Sequence, residues 1–530
     1  MRMNCVALGA VLVAAMLLAC PLARGAEARR PNIVFIVADD LGYRDLGAFG
    51  QDKIRTPNLD KLAAEGMRLT THYSGNTVCA PSRSVLLSGL HPGHTFIRDN
   101  KQAPKYAPVT NEGQHPVPAE HLQLPLTLKK LGYATGGFGK WGLGAWKSTG
   151  DPNRQGMDRF YGYLCQAVAH NYYPSYLWDN GKQVPLNNPE PDPKPRLAAG
   201  DDPNDPVSYE PFLRGKDYAP DLIGEQALAF VRENKDRAFF LYYPTVVPHL
   251  GYQVPADSLK EYAGKFPEEP FPGSGHYVPD RTPRATYAAM ITRMDREIGR
   301  IVSLVRDLGL DENTIFVFTS DNGAPGGLPT SYFNSGGVFR GGKGSIYEGG
   351  FRVPAIVRWT GRIKPGSRSD RVTGFEDWLP TLLELSGDAS AGPANLDGTS
   401  FAPTLLGRAQ GPRPFLYREF PTRGGAQFVR EKDWRLIRHL GGPMAKTRDF
   451  VGGGLASAPP GALDPEPSAA PEGDFELFDL AADPSEQHNV APQHPDLVAR
   501  LAKVLNEQHV KSDIFPLVAI DGERSPRAKK

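Results

Sequence analysis

The sequence predicts an α/β fold in which a mostly parallel central sheet is flanked by helices, and two observations support this prediction. Strand-length apolar runs alternate with stretches of helical period along most of the chain, as expected when helices connect parallel strands. The runs also lack polar alternation, as in residues 32–37 (NIVFIV), which is typical of strands buried on both faces. Ligands in such folds bind beyond the carboxyl ends of the strands.

The predicted elements follow in order along the chain. After the strand at 32–37, Thr56 and Pro57 open a helix, and a helix near 124–131 precedes a strand-like run at 133–136. Further helices are predicted at 220–234, 285–308 and 376–386, and further strands at 238–243, 314–318 and 353–358. This alternation assigns residues 30–411 to one α/β domain.

The pattern changes beyond about residue 412. Short strand-like runs at 428–430, 434–437 and 476–480 precede an amphipathic helix at 496–509. We therefore expect a smaller C-terminal α+β subdomain, an antiparallel sheet plus a helix, over residues 412–525. Two segments stand apart by composition: 181–219 is predicted to be a surface excursion, and 441–473 to be poorly ordered.

The N-terminal region resembles an export signal. Residues 6–18 are apolar but short for a membrane span, and 23–25 offer a small-x-small cleavage site. Residues 1–25 are therefore predicted to be a signal peptide, and the mature chain to be periplasmic or secreted. The run LLAC ending at Cys20 also resembles a lipobox, so lipid anchoring through Cys20 is the alternative. No other stretch is predicted to span a membrane.

Composition argues against several classes of protein. The 60 basic and 59 acidic side chains nearly balance, so no net charge selects a nucleic acid or a membrane surface as a partner. Only 4 cysteines are present, and beyond the predicted signal only Cys79 and Cys165 remain. An exported chain with so few cysteines is not held together by a disulfide framework.

The run Cys79-Ala80-Pro81-Ser82-Arg83 is the most informative motif. It reads C-x-P-x-R and precedes an apolar stretch that opens as a helix. A Cys at a helix start lies in a positive field that favours an anionic nucleophile or ligand. Arg83 lies one helical turn further on, where it could steady that group. For this run alone, a buried structural cysteine is the alternative.

Acidic and amide residues follow two of the predicted strands. Asp39 and Asp40 come after the first strand, and Asp321 and Asn322 come after the strand at 314–318. If these strands are neighbours, their carboxylates would repel each other unless a cation lay between them. Oxygen donors without His or Cys favour a hard ion, Ca²⁺ or Mg²⁺. Taken singly, each pair also fits a turn or a helix cap.

Two glycine-flanked lysines and a histidine complete the set of candidates. Lys140 lies in GKWGLG, Lys343 lies in RGGKGS shortly before YEGG, and His249 follows Val-Pro after a predicted strand. The stretch around Lys343 is not a phosphate-binding P-loop, because Gly344 stands where Ser or Thr is required. Taken alone, such lysines are usually solvated loop residues and such a histidine is usually structural.

In this order the motifs resemble the signature of the formylglycine-dependent (type I) sulfatases, of the alkaline phosphatase superfamily. The likeness runs from Pro31 to about Val353, and the segment Glu476–Asn489 resembles the family's tail. It implies that a maturation enzyme oxidises Cys79 to formylglycine. The implied ligands of a Ca²⁺ or Mg²⁺ ion are Asp39, Asp40, Asp321, Asn322 and the oxygen of the converted Cys79. The implied catalytic and sulfate-binding residues are Cys79, Arg83, Lys140, His249 and Lys343.

The resemblance also implies the reaction. The hydrated aldehyde at position 79 attacks sulfur, two lysines and the metal neutralise the sulfonyl oxygens, and His249 protonates the departing alcohol. The predicted function is hydrolysis of sulfate esters, namely sulfated carbohydrates and aryl sulfates. The alternatives are a phosphoester or phosphonate monoester hydrolase of the same superfamily, and a non-catalytic sulfated-glycan binding protein with an unconverted Cys79.

One position departs from the family pattern. Gly142 stands where the family has His after Lys-Trp, so the group that handles the second hydroxyl of the hydrated aldehyde is unassigned. His170 is the leading substitute, with substrate contact or a structural role as alternatives and His94 or a water as the next candidates. A cluster of aromatic residues nearby predicts either sugar stacking or core packing. Its members are Tyr161, Tyr163, Tyr172, Tyr173, Tyr176 and Trp178.

Overall fold

A ten-stranded sheet forms the centre of the computed structural model, which describes residues 29–101, 112–327, 329–422, 424–441 and 475–522. The strands of this and the smaller sheets, in chain order, are β1 (Asn32–Ala38), β2 (Met67–Leu69), β3 (His72–Tyr73), β4 (Ala134–Lys140), β5 (Arg159–Tyr163), β6 (Tyr176–Asp179), β7 (Lys182–Pro185), β8 (Phe239–Pro244), β9 (Thr314–Ser320), β10 (Ala355–Trp359), β11 (Ser367–Ser369), β12 (Thr373–Gly374), β13 (Leu416–Phe420), β14 (Ala426–Glu431), β15 (Trp434–His439) and β16 (Phe475–Asp479).

Helices cover both faces of this sheet. In chain order they are α1 (Pro57–Ala64), α2 (Cys79–Ser88), α3 (Gln123–Lys130), α4 (Ala219–Glu233), α5 (Ala256–Leu259), α6 (Pro283–Asp307), α7 (Thr330–Phe333), α8 (Glu348–Phe351), α9 (Trp378–Leu385), α10 (Ala402–Leu405), α11 (Pro495–Gln508) and α12 (Val518–Asp521). Each strand and longer helix predicted above is present at nearly the expected place.

The central sheet has the order β11-β2-β10-β9-β1-β8-β4-β5-β6-β7. Its middle strands β9, β1, β8, β4 and β5 are parallel neighbours, and antiparallel pairs occur on both sides of them. The predicted α/β class with a mostly parallel sheet is confirmed. Ala38 at the end of β1 pairs with Ser320 at the end of β9, so the two acidic strand ends are adjacent.

The apolar run of β1 is buried on both faces, as its composition predicts. Val34 and Ile36 pack into a core with α1, α4 and α6, whereas Ile33, Phe35 and Val37 pack into a second core with α2, α3 and α9. Because successive side chains of a strand point to opposite faces, a continuous apolar run serves both cores. This packing holds the strand ends at one rigid edge.

A four-stranded antiparallel sheet, β13 to β16, lies C-terminal to the main sheet and packs against α11. Buried ion pairs connect it to the rest of the protein. Nη1 of Arg435 lies 2.6 Å from Oε1 of Glu486 and 3.1 Å from Oε1 of Glu348, and all three side chains are fully buried. Glu348 belongs to the YEGG sequence that follows Lys343. The predicted C-terminal α+β arrangement is present, and the boundary near 412 stays a prediction.

Replacing Arg435 by Ala should destabilise the protein by about 3–5 kcal/mol, because buried Glu486 would lose its paired cation and buried Glu348 would lose one of three. Urea unfolding of the two proteins measures this difference. Arg500→Ala is the control, since its side chain is 55% exposed beside Glu431 and exposed pairs contribute only about 0–1 kcal/mol. Equal losses in both variants would show that the pair at Arg435 does not anchor the sheet.

Several sequence predictions concern residues outside the described part of the chain. The predicted signal peptide at 1–25, with Cys20, and most of 441–473 fall there, so they stay predictions. Residues 181–219 are mostly exposed, as expected of a surface excursion. Within the described ranges, no helix combines the length and apolar character needed to cross a membrane.

Candidate active site

The candidate residues gather where four adjacent parallel strands end. The strands lie in the order β9, β1, β8 and β4, and parallel strands present their carboxyl ends at the same edge of a sheet. The residues at or just beyond these ends are Asp321 and Asn322 after β9, Asp39 and Asp40 after β1, His249 in the loop after β8, and Lys140 as the last residue of β4. The strand order therefore brings together motifs that are far apart in sequence.

Helix α2 carries Cys79 into this edge as its first residue. Sγ of Cys79 is buried and donates a hydrogen bond to Oδ1 of Asp39 at 3.2 Å. Burial and the charge of Asp39 raise the pKa of the thiol, so it is protonated in this setting. The start of the helix adds a positive field at the same point.

Arg83, one turn along α2, contacts the carboxylates that follow β9 and β1. Its Nε and Nη2 donate to Oδ2 of Asp321 at 3.0 and 2.8 Å, and Nη2 lies 3.6 Å from Oδ2 of Asp39. Its Nη1 donates to the backbone oxygen of Lys140. Arg83 thus ties α2 to three of the strand ends.

The amide of Asn322 points into the acidic cluster with its oxygen unused. Nδ2 of Asn322 donates to Oδ1 of Asp40 at 2.7 Å, while Oδ1 of Asn322 is buried without a hydrogen-bond partner among the described residues. Asp40 has a φ of 64°, in the left-handed region that a non-glycine residue seldom adopts. Such strained positions concentrate at functional sites.

The carboxylates of the cluster lie close enough to shift one another's pKa. Burial and repulsion from Asp39 raise the pKa of Asp321 to about 7. Burial would also raise the pKa of Asp39, but Lys140, His249 and Arg83 outweigh it and hold that pKa well below its usual value. One ligand atom each from Asp39, Asp40, Cys79 and His249 lie within 4.8 Å of one another. The carboxylate oxygens of this set, together with the unbonded oxygen of Asn322, are the donors that a hard divalent cation prefers.

Two lysines and a histidine line the other side of the cluster. Nζ of Lys140 lies 2.6 Å from Oδ2 of Asp39, and Nζ of Lys343 lies 2.8 Å from Oδ2 of Asp40. Nζ of Lys343 also lies 3.0 Å from Nε2 of His249, while Nδ1 of His249 lies 2.9 Å from the oxygen of Leu250. Burial and then the charge of Lys343 lower the pKa of His249 to about 4.

Comparison with known proteins places this chain in a family. Residues 31–388 match the protein-family model described as Sulfatase. This chain belongs to the sulfatase family. It is 32% identical to arylsulfatase A of Homo sapiens, over 90% of this chain and 88% of that protein. It is 29% identical to the N-acetylgalactosamine-6-O-sulfatase of Bacteroides thetaiotaomicron, over 91% of this chain and 93% of that protein.

Solved structures share the fold of this sulfatase. The structure of Ps i-CgsB in complex with k-i-k-neocarrahexaose matches it with a TM-score of 0.68 at 24% identity, covering 90% of this chain and 92% of that one. The related proteins named above are sulfuric ester hydrolases by name. The predicted family and the predicted enzyme class, sulfuric ester hydrolase, are thus confirmed.

His170 of the sulfatase lies directly beside His249. Their rings stack with centroids 4.2 Å apart and planes 8° from parallel, and His170 ends a short 3-10 helix, Val168–His170. Burial and then the charge of His249 hold the pKa of His170 well below its usual value. The structure therefore brings this candidate to the site, and its role stays a prediction. His94 lies in a different cluster, where Nδ1 is 2.8 Å from Asp397 and the ring stacks on His91.

Sequence reasoning missed two neighbours of His170. Nε2 of His276 lies 2.6 Å from Nδ1 of His170, and the hydroxyl of Tyr277 lies 3.4 Å from the same atom. Both belong to a loop closed by the bridge between Ser274 and Tyr277. No periodicity or motif marks this loop, so only the folded chain reveals the contact.

The aromatic cluster of this sulfatase serves the core more than the surface. Tyr161, Tyr163, Tyr172 and Trp178 are buried, so core packing rather than sugar stacking accounts for them. The hydroxyl of Tyr172 lies 2.8 Å from the backbone oxygens of both Val246 and His249. Tyr172 therefore supports the loop that carries His249.

Proposed function

We propose that this sulfatase cleaves sulfate esters with formylglycine at position 79 and a bound Ca²⁺ or Mg²⁺ ion, and that its natural substrate is a sulfated carbohydrate. The observation that carries the proposal is the position of Cys79: first residue of α2, buried, and 3.2 Å from Asp39 in a cluster of carboxylates. Conversion of the thiol would supply an aldehyde whose hydrate offers an oxygen nucleophile at that point. A formylglycine-generating or equivalent maturation enzyme would be the partner for this step.

We assign the metal ligands by the chemistry of their donors. Asp39, Asp40, Asp321 and Asn322, together with the oxygen at position 79, would hold the ion, and the unbonded oxygen of Asn322 supports this set. A hard divalent cation supplies positive charge that stabilises an oxygen nucleophile and the sulfonyl oxygens. Arg83 orients Asp321 and the backbone of Lys140 through its own hydrogen bonds.

The remaining residues act on the ester itself. Lys140 and Lys343 carry positive charge at the cluster edge, where they would bind the sulfonyl oxygens. His249 would give a proton to the departing alcohol. His170, stacked on His249, would contact the substrate or assist the second step.

Relatives support a carbohydrate or aryl substrate. The related proteins carry the names arylsulfatase A and N-acetylgalactosamine-6-O-sulfatase. The decisive experiment compares sulfate and phosphate monoesters of one phenol, followed by a panel of sulfated monosaccharides and oligosaccharides. We expect a higher kcat/KM for the sulfate. A preference for phosphate or phosphonate esters would favour the alternative hydrolase of the same superfamily.

Peptide mass separates the enzyme from a binding protein. Conversion of Cys79 to formylglycine lowers the mass of the peptide that contains it, whereas an unconverted thiol becomes alkylated. An alkylated Cys79 together with tight binding of sulfated glycans would favour the non-catalytic alternative. We also propose export to the periplasm or beyond, which N-terminal sequencing of the mature protein tests.

Replacing His249 by Ala should slow cleavage of carbohydrate sulfates by about 10²–10⁴, the usual contribution of a positioned acid. The loss should be much smaller for a nitrophenyl sulfate, because an acidic phenol departs without a proton. The measurement is kcat/KM for a series of phenyl sulfates. In His249→Ala its logarithm should fall more steeply with the pKa of the departing phenol than in the wild-type enzyme. His276→Ala is the control and should keep the wild-type dependence. An equal loss for every leaving group would place His249 in another role.

A further inference from the structure

The side chain of Gln166 fills the space above Gly142. A Cβ added to Gly142 would stand 2.0 Å from Nε2 of Gln166 and 2.8 Å from its amide carbon. Gly142 also has a φ of 77°, a conformation that favours glycine. The amide of Gln166 thus occupies the place where a side chain at position 142 would begin.

This amide is buried and unsatisfied. Gln166 is 5% exposed, and neither its Nε2 nor its Oε1 has a hydrogen-bond partner in the described part of the chain. The buried amide of Gln155, in contrast, donates from Nε2 to the oxygens of Pro118 and Thr149 at 2.7 and 2.8 Å. Leaving buried polar atoms without partners destabilises a fold, and the amide of Gln166 lacks, among the described residues, the hydrogen-bond partner that a buried amide normally has.

Gln166 lies at the sheet edge that carries the site. Strand β5 is the next neighbour of β4, with Tyr163 paired to Lys140. The pairing continues past both strands, because the backbone N–H of Gly142 donates to the oxygen of Leu164 at 3.1 Å. Gln166 therefore extends the row of strand ends, at the carboxyl end of β5 and beside the strand that ends in Lys140.

A series of hydrogen bonds leads from the backbone of Gln166 to α2, the helix that begins with Cys79. The backbone N–H of Gln166 donates to Oε1 of Gln114 at 3.3 Å, and Nε2 of Gln114 donates to the oxygen of Lys101 at 3.2 Å. The adjacent residue, Asn100, accepts from the backbone N–H of Ala80 at 2.9 Å. On its other side, the same loop leads to His170, which stacks on His249.

We propose that Gln166 is a sulfate-binding residue whose Nε2 donates a hydrogen bond to an oxygen of the sulfate ester beside Lys140. This inference rests on the proposed function. Sulfate oxygens only accept hydrogen bonds, so they match the donor half of a carboxamide. A neutral donor also adds affinity without competing with the lysines for the buried carboxylates. Gly142 is then required because any side chain there would displace this amide.

Gln166→Met tests the proposal in the mature, metal-containing enzyme. Calorimetry gives the Kd for inorganic sulfate, steady-state kinetics give KM for a nitrophenyl sulfate, and thermal unfolding gives stability. We expect Kd and KM to rise about 10-fold or more, since a hydrogen bond to a charged group is lost. The unfolding temperature should stay or rise, because Met removes two polar atoms without partners. Gln155→Met is the matched control and should lower the unfolding temperature but keep the wild-type Kd.

Each other outcome has a distinct meaning. Wild-type Kd and KM in Gln166→Met would overturn the inference and leave the proposed function standing. A fall in unfolding temperature like that of Gln155→Met would show that the amide is bonded within the fold, which also overturns it. If the Met variant does not fold, Gln166→Asn, which keeps the amide but shortens its reach, is measured in the same way. A wild-type enzyme that hydrolyses no sulfate ester would overturn the proposed function itself.

Discussion

Replacing Cys79 by Ala is expected to abolish sulfate ester hydrolysis while leaving the fold intact. The side chain is small, and among the described residues its sulfur donates one hydrogen bond, to Asp39, so little packing is lost. The converted residue would supply the only nucleophile of the proposed reaction, and loss of a nucleophile in a covalent enzyme lowers kcat by a factor on the order of 10⁶. Turnover of a nitrophenyl sulfate and the unfolding temperature measure the two effects.

The second described cysteine provides the control for this change. Cys165 is also buried, but it lies outside the acidic cluster, so Cys165→Ala should retain most activity. The Cys79→Ala enzyme should still bind inorganic sulfate, because both lysines remain. Even a few per cent of wild-type turnover in Cys79→Ala would rule out position 79 as the nucleophile.

Removing the divalent cation is expected to have the second largest effect. Chelation should abolish activity, and Ca²⁺ or Mg²⁺ should restore it, because the donors of the proposed site are buried carboxylate and amide oxygens. The cation should also stabilise the fold, by about 2.7 kcal/mol at a concentration of 100 times Kd, since it relieves the repulsion that raises the pKa of Asp321. Thermal unfolding with and without cation measures this shift directly.

Two variants sharpen the metal experiment. Asp40→Asn should remove the stabilisation by Ca²⁺ or Mg²⁺, because it removes a charged ligand of the proposed site. Asp60→Asn changes a carboxylate on α1 that accepts a hydrogen bond from Ala48, and it should leave the cation-induced shift unchanged. Restoration by Zn²⁺ alone, with His249 as a ligand, would show that the site had been assigned wrongly.

Much of the site was predictable because its parts are local. Continuous apolar runs identified β1, β8 and β9, and the polar residues just beyond them, such as Asp39 and Asp321, were therefore expected at one edge. The C-x-P-x-R run placed Cys79 at a helix start, where the structure has it. Each of these inferences depends on the period or punctuation of a short segment, which the sequence carries directly.

Other parts of the site could not be read from any single segment. No local pattern predicts that His276 reaches His170, or that Tyr172 supports the loop of His249. In sequence, the aromatic cluster fits either sugar stacking or core packing. Most of its members are buried in the structure, which favours core packing. The amide of Gln166 occupies the space that a side chain at position 142 would fill. This contact depends on the backbone turn at Gly142 and on the neighbouring loop that carries Gln166, so neither segment predicts it alone.

Short segments of the sequence thus specify which residues follow the strands and what chemistry they offer: hard oxygen ligands, two lysines, a histidine and a cysteine. Their arrangement depends on the tertiary fold, which places β9, β1, β8, β4 and β5 side by side. Strand order depends on how crossover helices pack on the two faces of the sheet, a non-local balance of burial and chain connection. For that reason residues as distant as Asp39 and Lys140 lie in hydrogen-bond contact, although nothing in either segment specifies the other.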